Sequence, residues 1–273
     1  MNFARLYKKE FMKERKSFAV TLIITLGAAI FLYSRIERWP TGVPTFVSMT
    51  IIFGFSIAAF INCFDYMGDE WKRNNHYLML SLPVKGRDIL SAKLAWFMTE
   101  FGTHMLLLGA YTTVMLLAEL KSTDFLSAEL YSGIASSVWR VYWLTLLPML
   151  YTLACAGVLG LFSYTAGSTV RRFNFWVGAV SYILPIWLLS YLSDKAMEIS
   201  PAWLHIELPL SNILAWQQME RALNSSGAMD FNFSYFMNGT FVGIDMLAVL
   251  IWTAGMAGLF FLASWLLENV VEV

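Results

Sequence analysis

Six apolar stretches, each long enough to cross a lipid bilayer, occupy most of this 273-residue sequence. A transmembrane helix needs about 20 consecutive apolar residues, because the hydrocarbon core is about 30 Å thick and a helix rises about 1.5 Å per residue. The composition agrees, since 58% of the residues are hydrophobic and the mean hydropathy is +0.58. We therefore predict an all-α membrane protein, folded as a single domain over residues 1–273, with six transmembrane helices. These are predicted at residues 17–34, 46–65, 94–118, 140–164, 175–193 and 240–266.

The first 16 residues are too charged to enter the bilayer, but they form an amphipathic pattern. At 100° per residue, apolar side chains gather on one face of a helix and basic side chains on the other. The apolar set is Phe3, Leu6, Tyr7 and Phe11, and the basic set is Arg5, Lys8, Lys9, Lys13 and Lys16. We predict an in-plane helix over residues 1–16 that lies on an anionic leaflet. The alternative is a solvated basic segment that only orients the chain.

Basic residues are concentrated in alternate loops of the predicted topology. Residues 1–16, 68–93 and 165–174 carry 13 of the 19 lysines and arginines. Cytoplasmic loops of membrane proteins are enriched in these two residues. We therefore predict that both termini lie in the cytoplasm.

The cytoplasmic segment 68–93 shows a distinct order of features. A charged lead-in is followed by a short apolar run, a proline and a glycine then interrupt the chain, and an Arg-Asp pair opens a new helix. This segment can lie along the membrane surface and present an amphipathic knob to a cytoplasmic protein. The residues that define it are Glu70, Arg73, Leu78, Leu80, Leu82, Pro83, Arg87 and Asp88.

This order of residues resembles the intracellular loop between the second and third spans of ABC-2 type exporter permeases, which have a type V-like fold. The six-span layout agrees with the same family over the whole chain. In that family the loop is a coupling helix that docks onto a separate ATP-hydrolysing subunit. The resemblance implies that the eight residues named above contact such an ATPase. Two copies of the ATPase would be present in the complex, and they would carry the ATP and magnesium. The resemblance also implies a bacterial cell membrane and a second permease chain, favouring a homodimer.

The chain contains no G-x-x-x-x-G-K-[ST] motif, because no glycine is followed by lysine. It therefore cannot bind nucleotide phosphates in the P-loop manner, and an ATP-driven motor would be another polypeptide. The three histidines are scattered over the predicted topology, which argues against a metalloprotease site. We predict a transport subunit that is not an enzyme and binds no metal, cofactor or nucleic acid. An energy-independent scaffold or receptor-like membrane component is the alternative.

Aromatic residues of the second and fifth spans are candidates for a substrate pathway. In the resembled family these two spans line the central cavity, which would suit amphipathic or hydrophobic cargo, with peptide favoured. Lipid contact or helix packing is the alternative for such residues. The candidates are Phe53, Phe60, Phe64, Trp176, Tyr182 and Trp187.

Glu100, His104 and Asp245 lie within the predicted spans. Glu100 and His104 share one face of the third span and could line the cytoplasmic half of the pathway. An interhelical hydrogen bond, or a position close to the membrane surface, is the alternative. Asp245 lies near the outer end of the sixth span and could be hydrated there.

The segment 194–238 is the longest stretch outside the membrane, and it is not uniformly polar. Pro201 and Pro209 interrupt an apolar pattern, which predicts two short helices dipping toward the membrane. In the resembled family, re-entrant helices occupy this position between the fifth and sixth spans. A surface loop with membrane-anchoring tryptophans is the alternative.

Overall fold

A computed structural model describes residues 3–72, 85–122, 128–170, 174–209 and 241–270. Within these ranges the chain forms six long helices and one pair of short strands. The helices are α1 (Phe3–Tyr33), α2 (Val43–Lys72), α3 (Gly86–Ser122), α4 (Ala128–Ser168), α5 (Asn174–Ile199) and α6 (Met246–Asn269). A 3-10 turn (Ala202–Leu204) leads into β1 (His205–Pro209), which precedes β2 (Phe241–Asp245).

The helices have the length and apolar character that a bilayer requires. Five of them, α1 and α3 to α6, are long and apolar enough to cross a membrane. In α2 the apolar part with described side chains runs from Val43 to Ala58. The prediction of a helical, multi-pass membrane protein is therefore confirmed at this level.

Contacts between the helices define their relative directions. Helices α1 and α3 are parallel. Glu10 pairs with Lys93 near the start of both helices, and the Ala29 backbone oxygen near the end of α1 accepts from the Tyr111 hydroxyl further along α3. Helices α2 and α3 are antiparallel, because Thr45 near the start of α2 is hydrogen-bonded to Glu119 near the end of α3. The N-terminal part of α3 lies close to α4, because a Cβ added at Gly157 would stand 2.7 Å from Leu94 Cδ1.

The two ends of the described chain lie at the same end of the helix bundle. Leu6 of α1 and Leu267 of α6 belong to one buried apolar cluster with Ile89 and Leu90 of α3. This arrangement is expected for an even number of antiparallel passes.

The predicted division between an in-plane helix and the first span is wrong. The helix α1 continues without a break from Phe3 to Tyr33, and no glycine or proline interrupts it before Gly27. Its first turns are held against α3 rather than lying apart from the bundle, because Glu10 turns inward and pairs with Lys93.

The chain is predominantly helical, as predicted, but the junction between α5 and α6 contains a strand pair where short helices were predicted. Residues 205–209 and 241–245 form an antiparallel pair, with His205 opposite Asp245 and Pro209 opposite Phe241. The sixth apolar stretch therefore starts as a strand, and its helix begins at Met246. Short helices were predicted from residue 201 onward; the structure has a single 3-10 turn there, and residues 210–240 lie outside the described ranges.

Candidate functional site

The candidate site is the base of α3, defined as residues 86–100, which contains the last residues of the segment 68–93 that resembles a coupling loop. Its first residue, Gly86, is buried, and its backbone N–H donates to the carboxylate of Glu268 on α6. The first N–H groups of a helix have no partner within the helix and carry partial positive charge. The Glu268 carboxylate satisfies one of these groups and anchors the start of α3 to α6.

The contact between α3 and α6 at this point is too close for a larger residue. A Cβ added at Gly86 would lie 2.9 Å from the backbone oxygen of Ser264 and 3.0 Å from Cγ of Glu268. Glycine is therefore required here for the close approach of the two helices.

A buried ion pair attaches the base of α3 to α1. Lys93 Nζ lies 3.6 Å from Glu10 Oε1, and the exposed fractions of the two side chains are 1% and 6%. Buried charges are costly unless they are paired. The pair therefore ties the two helices to one relative position.

Aromatic contacts extend this attachment along α1. Trp96 is fully buried, and rings from three turns of α1 meet it edge-on. The ring centroids lie 6.2 Å away for Tyr7, 5.5 Å for Phe11 and 5.8 Å for Phe18. The Tyr7 hydroxyl also donates to Thr99 Oγ1 at 3.0 Å. The base of α3 is thus held by α1 on one side and by α6 on another.

The structure describes two of the predicted ATPase-coupling residues in full. Arg87 and Asp88 stand in the first turn of α3, where their side chains are 58% and 36% exposed and lie 3.8 Å apart. An acidic residue in this turn is favoured by the helix dipole. Glu70 belongs to the last turns of α2, but its side chain lies outside the described part. The remaining coupling residues, Arg73, Leu78, Leu80, Leu82 and Pro83, also lie outside it.

His104 is placed at the junction of three helices. The residue is fully buried; the Phe55 ring of α2 stacks on it at 4.8 Å, and the Phe18 ring of α1 meets it edge-on at 5.3 Å. Its Nδ1 donates to the backbone oxygen of Glu100 at 2.7 Å. His104 therefore packs between α1, α2 and α3 of a single chain. Glu100 is partly buried on the preceding turn.

The aromatic pathway candidates whose side chains the structure describes do not converge within one chain. Phe53, Trp176 and Trp187 are 69%, 67% and 63% exposed, so they project away from the bundle. Tyr182 instead packs against the buried cluster that contains Cys155 and Leu189. The side chains of Phe60 and Phe64 lie outside the described part. Any pathway built from the exposed residues would need lipid or a second chain opposite them.

No family model, curated protein or solved structure matches this chain. The resemblance to ABC-2 permeases therefore stays a prediction from the sequence. The geometry at the base of α3 is independent of it.

Asp245 has a structural position at the start of α6. It is the N-cap residue, and its Oδ1 accepts from the backbone N–H groups of Leu247 at 2.8 Å and Ala248 at 3.3 Å. An aspartate directly before an apolar helix is a known N-cap signal. That signal was available in the sequence.

Three further acidic residues have contacts that the sequence analysis did not predict. Glu119 is buried, and its carboxylate accepts from the Thr45 hydroxyl at 2.7 Å and from the Thr45 backbone N–H at 3.4 Å, near the start of α2. Glu268 and Glu10 make the contacts to α3 described above. The sequence contained only a weak indication of these contacts. Glu10 stands on the otherwise apolar face of its helix, where a carboxylate needs a partner.

Proposed function

We propose that this chain is the membrane-spanning permease subunit of an ATP-driven ABC exporter in a bacterial cell membrane. Two copies of the chain would form the translocation pathway, and two copies of a separate ATPase would bind at the cytoplasmic face. Both termini would be cytoplasmic. The cargo would be amphipathic or hydrophobic, with peptide favoured.

The observation that carries this proposal is the attachment of the base of α3 to both α1 and α6. The segment that resembles a coupling loop ends within this base, and the side chains of Arg87 and Asp88 are 58% and 36% exposed in its first turn. A transmitting element must be exposed where it meets its partner and firmly held where it meets the transport domain. The Gly86–Glu268 hydrogen bond and the Lys93–Glu10 ion pair hold the base of α3 firmly against α6 and α1.

These contacts define how a movement of the loop would pass into the membrane domain. Nucleotide binding would bring the two ATPases together and displace the coupling segments with them. Because α3 is tied to α1 and α6 at its base, the three helices would move as one body. The exposed aromatic residues Phe53, Trp176 and Trp187 could then line a pathway between two chains, which would suit hydrophobic cargo.

Purification of the complex tests the proposal. The full chain carrying an affinity tag would be isolated in mild detergent from membranes of its native host. A P-loop ATPase should co-purify, and the complex should hydrolyse ATP. The substitutions Leu80→Asp and Arg87→Glu should each lower the recovery of the ATPase by about tenfold, because 1.4 kcal/mol of lost contact energy corresponds to that factor.

The matched control is Lys195→Glu, which makes the same change of charge as Arg87→Glu on an exposed residue of α5. It should leave ATPase recovery unchanged. A preparation without any P-loop ATPase, or equal recovery from all four proteins, would contradict the proposal and favour a scaffold or receptor-like role.

A further inference from the structure

We propose that the outward face of the first turns of α1 binds the headgroups of anionic phospholipids. The face is defined here as the basic stripe, Arg5, Lys8, Arg15 and Lys16. All four residues are exposed. At 100° per residue they fall within an arc of about 100°, with exposed Met12 near its centre. This inference does not depend on the exporter proposal, since it requires only that α1 is embedded in a bilayer.

The acidic residues of this part of α1 point away from the basic stripe. Glu10 is on the opposite side of the helix, where it is buried against Lys93. Glu14 also lies on the side that faces α3, and it is 3.4 Å from Lys13. The stripe therefore presents positive charge alone, although the sequence of this segment mixes both signs.

The same face of α1 becomes apolar beyond the stripe. Ile23, Leu26 and Ile30 fall in the same arc and are 66%, 43% and 72% exposed. One continuous helix face thus passes from four cations to exposed aliphatic side chains. This order matches a bilayer, in which anionic phosphates lie directly outside the hydrocarbon and attract lysine and arginine. A cytoplasmic protein partner would not require the apolar continuation.

The stripe is held rigidly relative to the rest of the bundle. The opposite face of the same turns contacts Trp96, Thr99 and Lys93 of α3. A ligand that binds the folded arrangement stabilises it by mass action. Anionic lipid on the stripe is therefore expected to stabilise the packing of α1 on α3.

A lipid titration tests this proposal. The purified full chain in neutral detergent would be titrated with phosphatidylglycerol or phosphatidylcholine, and bound lipid would be counted by native mass spectrometry. Phosphatidylglycerol should bind at least about tenfold more tightly at low salt, and high salt should reduce the difference because it screens exposed charges. The variant Lys8→Gln/Arg15→Gln/Lys16→Gln should lose this preference, since each basic residue contributes about a fivefold effect.

The control variant is Lys121→Gln/Arg140→Gln/Lys195→Gln, which removes the same number and types of charge from exposed positions elsewhere. It should keep the preference for phosphatidylglycerol. Melting temperatures in neutral detergent would verify that both variants are folded. The proposal is overturned if the wild-type chain does not discriminate between the lipids, or if the two variants lose the preference equally. It is also overturned if the stripe variant keeps the preference. Loss of a co-purifying ATPase from that variant would then assign the stripe to a protein partner.

Discussion

Lys93 of α3 and Glu10 of α1 form an ion pair with an Nζ–Oε1 distance of 3.6 Å, and both side chains are almost completely buried. Each charge compensates the desolvation of the other. Removing only one of them leaves the other buried with its pairing partner lost, which costs more than the pair itself contributes.

The first prediction concerns this pair. Lys93→Met should lower the free energy of unfolding by about 3–5 kcal/mol, because the Glu10 carboxylate loses this cation. The double variant Glu10→Gln/Lys93→Met should recover part of the loss. Chemical unfolding in detergent micelles would measure both values. The control is Lys195→Met, which breaks the exposed Lys195–Glu198 pair and should cost less than about 1 kcal/mol. Equal losses at the two sites would contradict the importance of burial.

The second prediction concerns the close contact at Gly86. Gly86→Ala should destabilise the protein by about 1–3 kcal/mol, because the new Cβ would press on the backbone of Ser264. The control is Gly258→Ala in α6, where a Cβ would have no neighbour within 4 Å. That change should be neutral or stabilising by up to about 1 kcal/mol. Thermal unfolding of both variants distinguishes them, and a stable Gly86→Ala variant would show that α3 and α6 can separate at this point.

The third prediction concerns the buried carboxylate of Glu119. Glu119→Ala should cost about 1–3 kcal/mol, since the Thr45 hydroxyl and backbone N–H lose their acceptor in a buried position. Thr45→Val should cost about 1 kcal/mol. The two losses should not add in the double variant, because they remove the same contact. Glu37→Ala, at an exposed position near Tyr33, serves as the control and should have little effect. Additive losses would mean that the two residues act separately.

The fourth prediction separates structure from transport at Asp245. Asp245→Ala should cost about 0.5–2 kcal/mol because α6 loses its N-cap, while Asp245→Asn should retain most of the stability. Both variants would be compared by unfolding and, where a cargo is identified, by transport. If Asp245→Asn abolished transport while it preserved stability, the carboxylate would have a role beyond capping.

The number and order of the long helices in the described ranges could be predicted from the sequence, but their ends could not. The bilayer fixes a minimum length for an apolar helix, so six runs predict six crossings. The bilayer does not limit how far a helix continues beyond the hydrocarbon core. The 37 residues of α3 extend beyond the predicted span at both ends, where Gly86 and Glu119 are held by residues from other helices. Such contacts join residues far apart in the chain, and periodicity does not encode them.

The strand pair and the base of α3 illustrate the same limit. Pairing of β1 with β2 joins segments on either side of residues 210–240, so no local pattern could establish its register. At the base of α3, the order of residues predicted that Arg87 and Asp88 open a helix, and both stand in its first turn. The Lys93–Glu10 pair was missed because its two residues were assigned to separate surface segments. Counting charges along the sequence treats Lys93 and Glu10 as solvated residues, whereas in the fold they face each other and are buried.

The pairing of β1 with β2 also has a practical consequence for mapping the topology. Pro209 stands opposite Phe241, so the chain departs from this hairpin and re-enters it at neighbouring points. Additional residues between those points would cost only the slowly growing entropy of closing a longer loop. An epitope inserted between them could therefore show, by antibody access in intact cells, which compartment the hairpin faces, without drawing α5 and α6 apart.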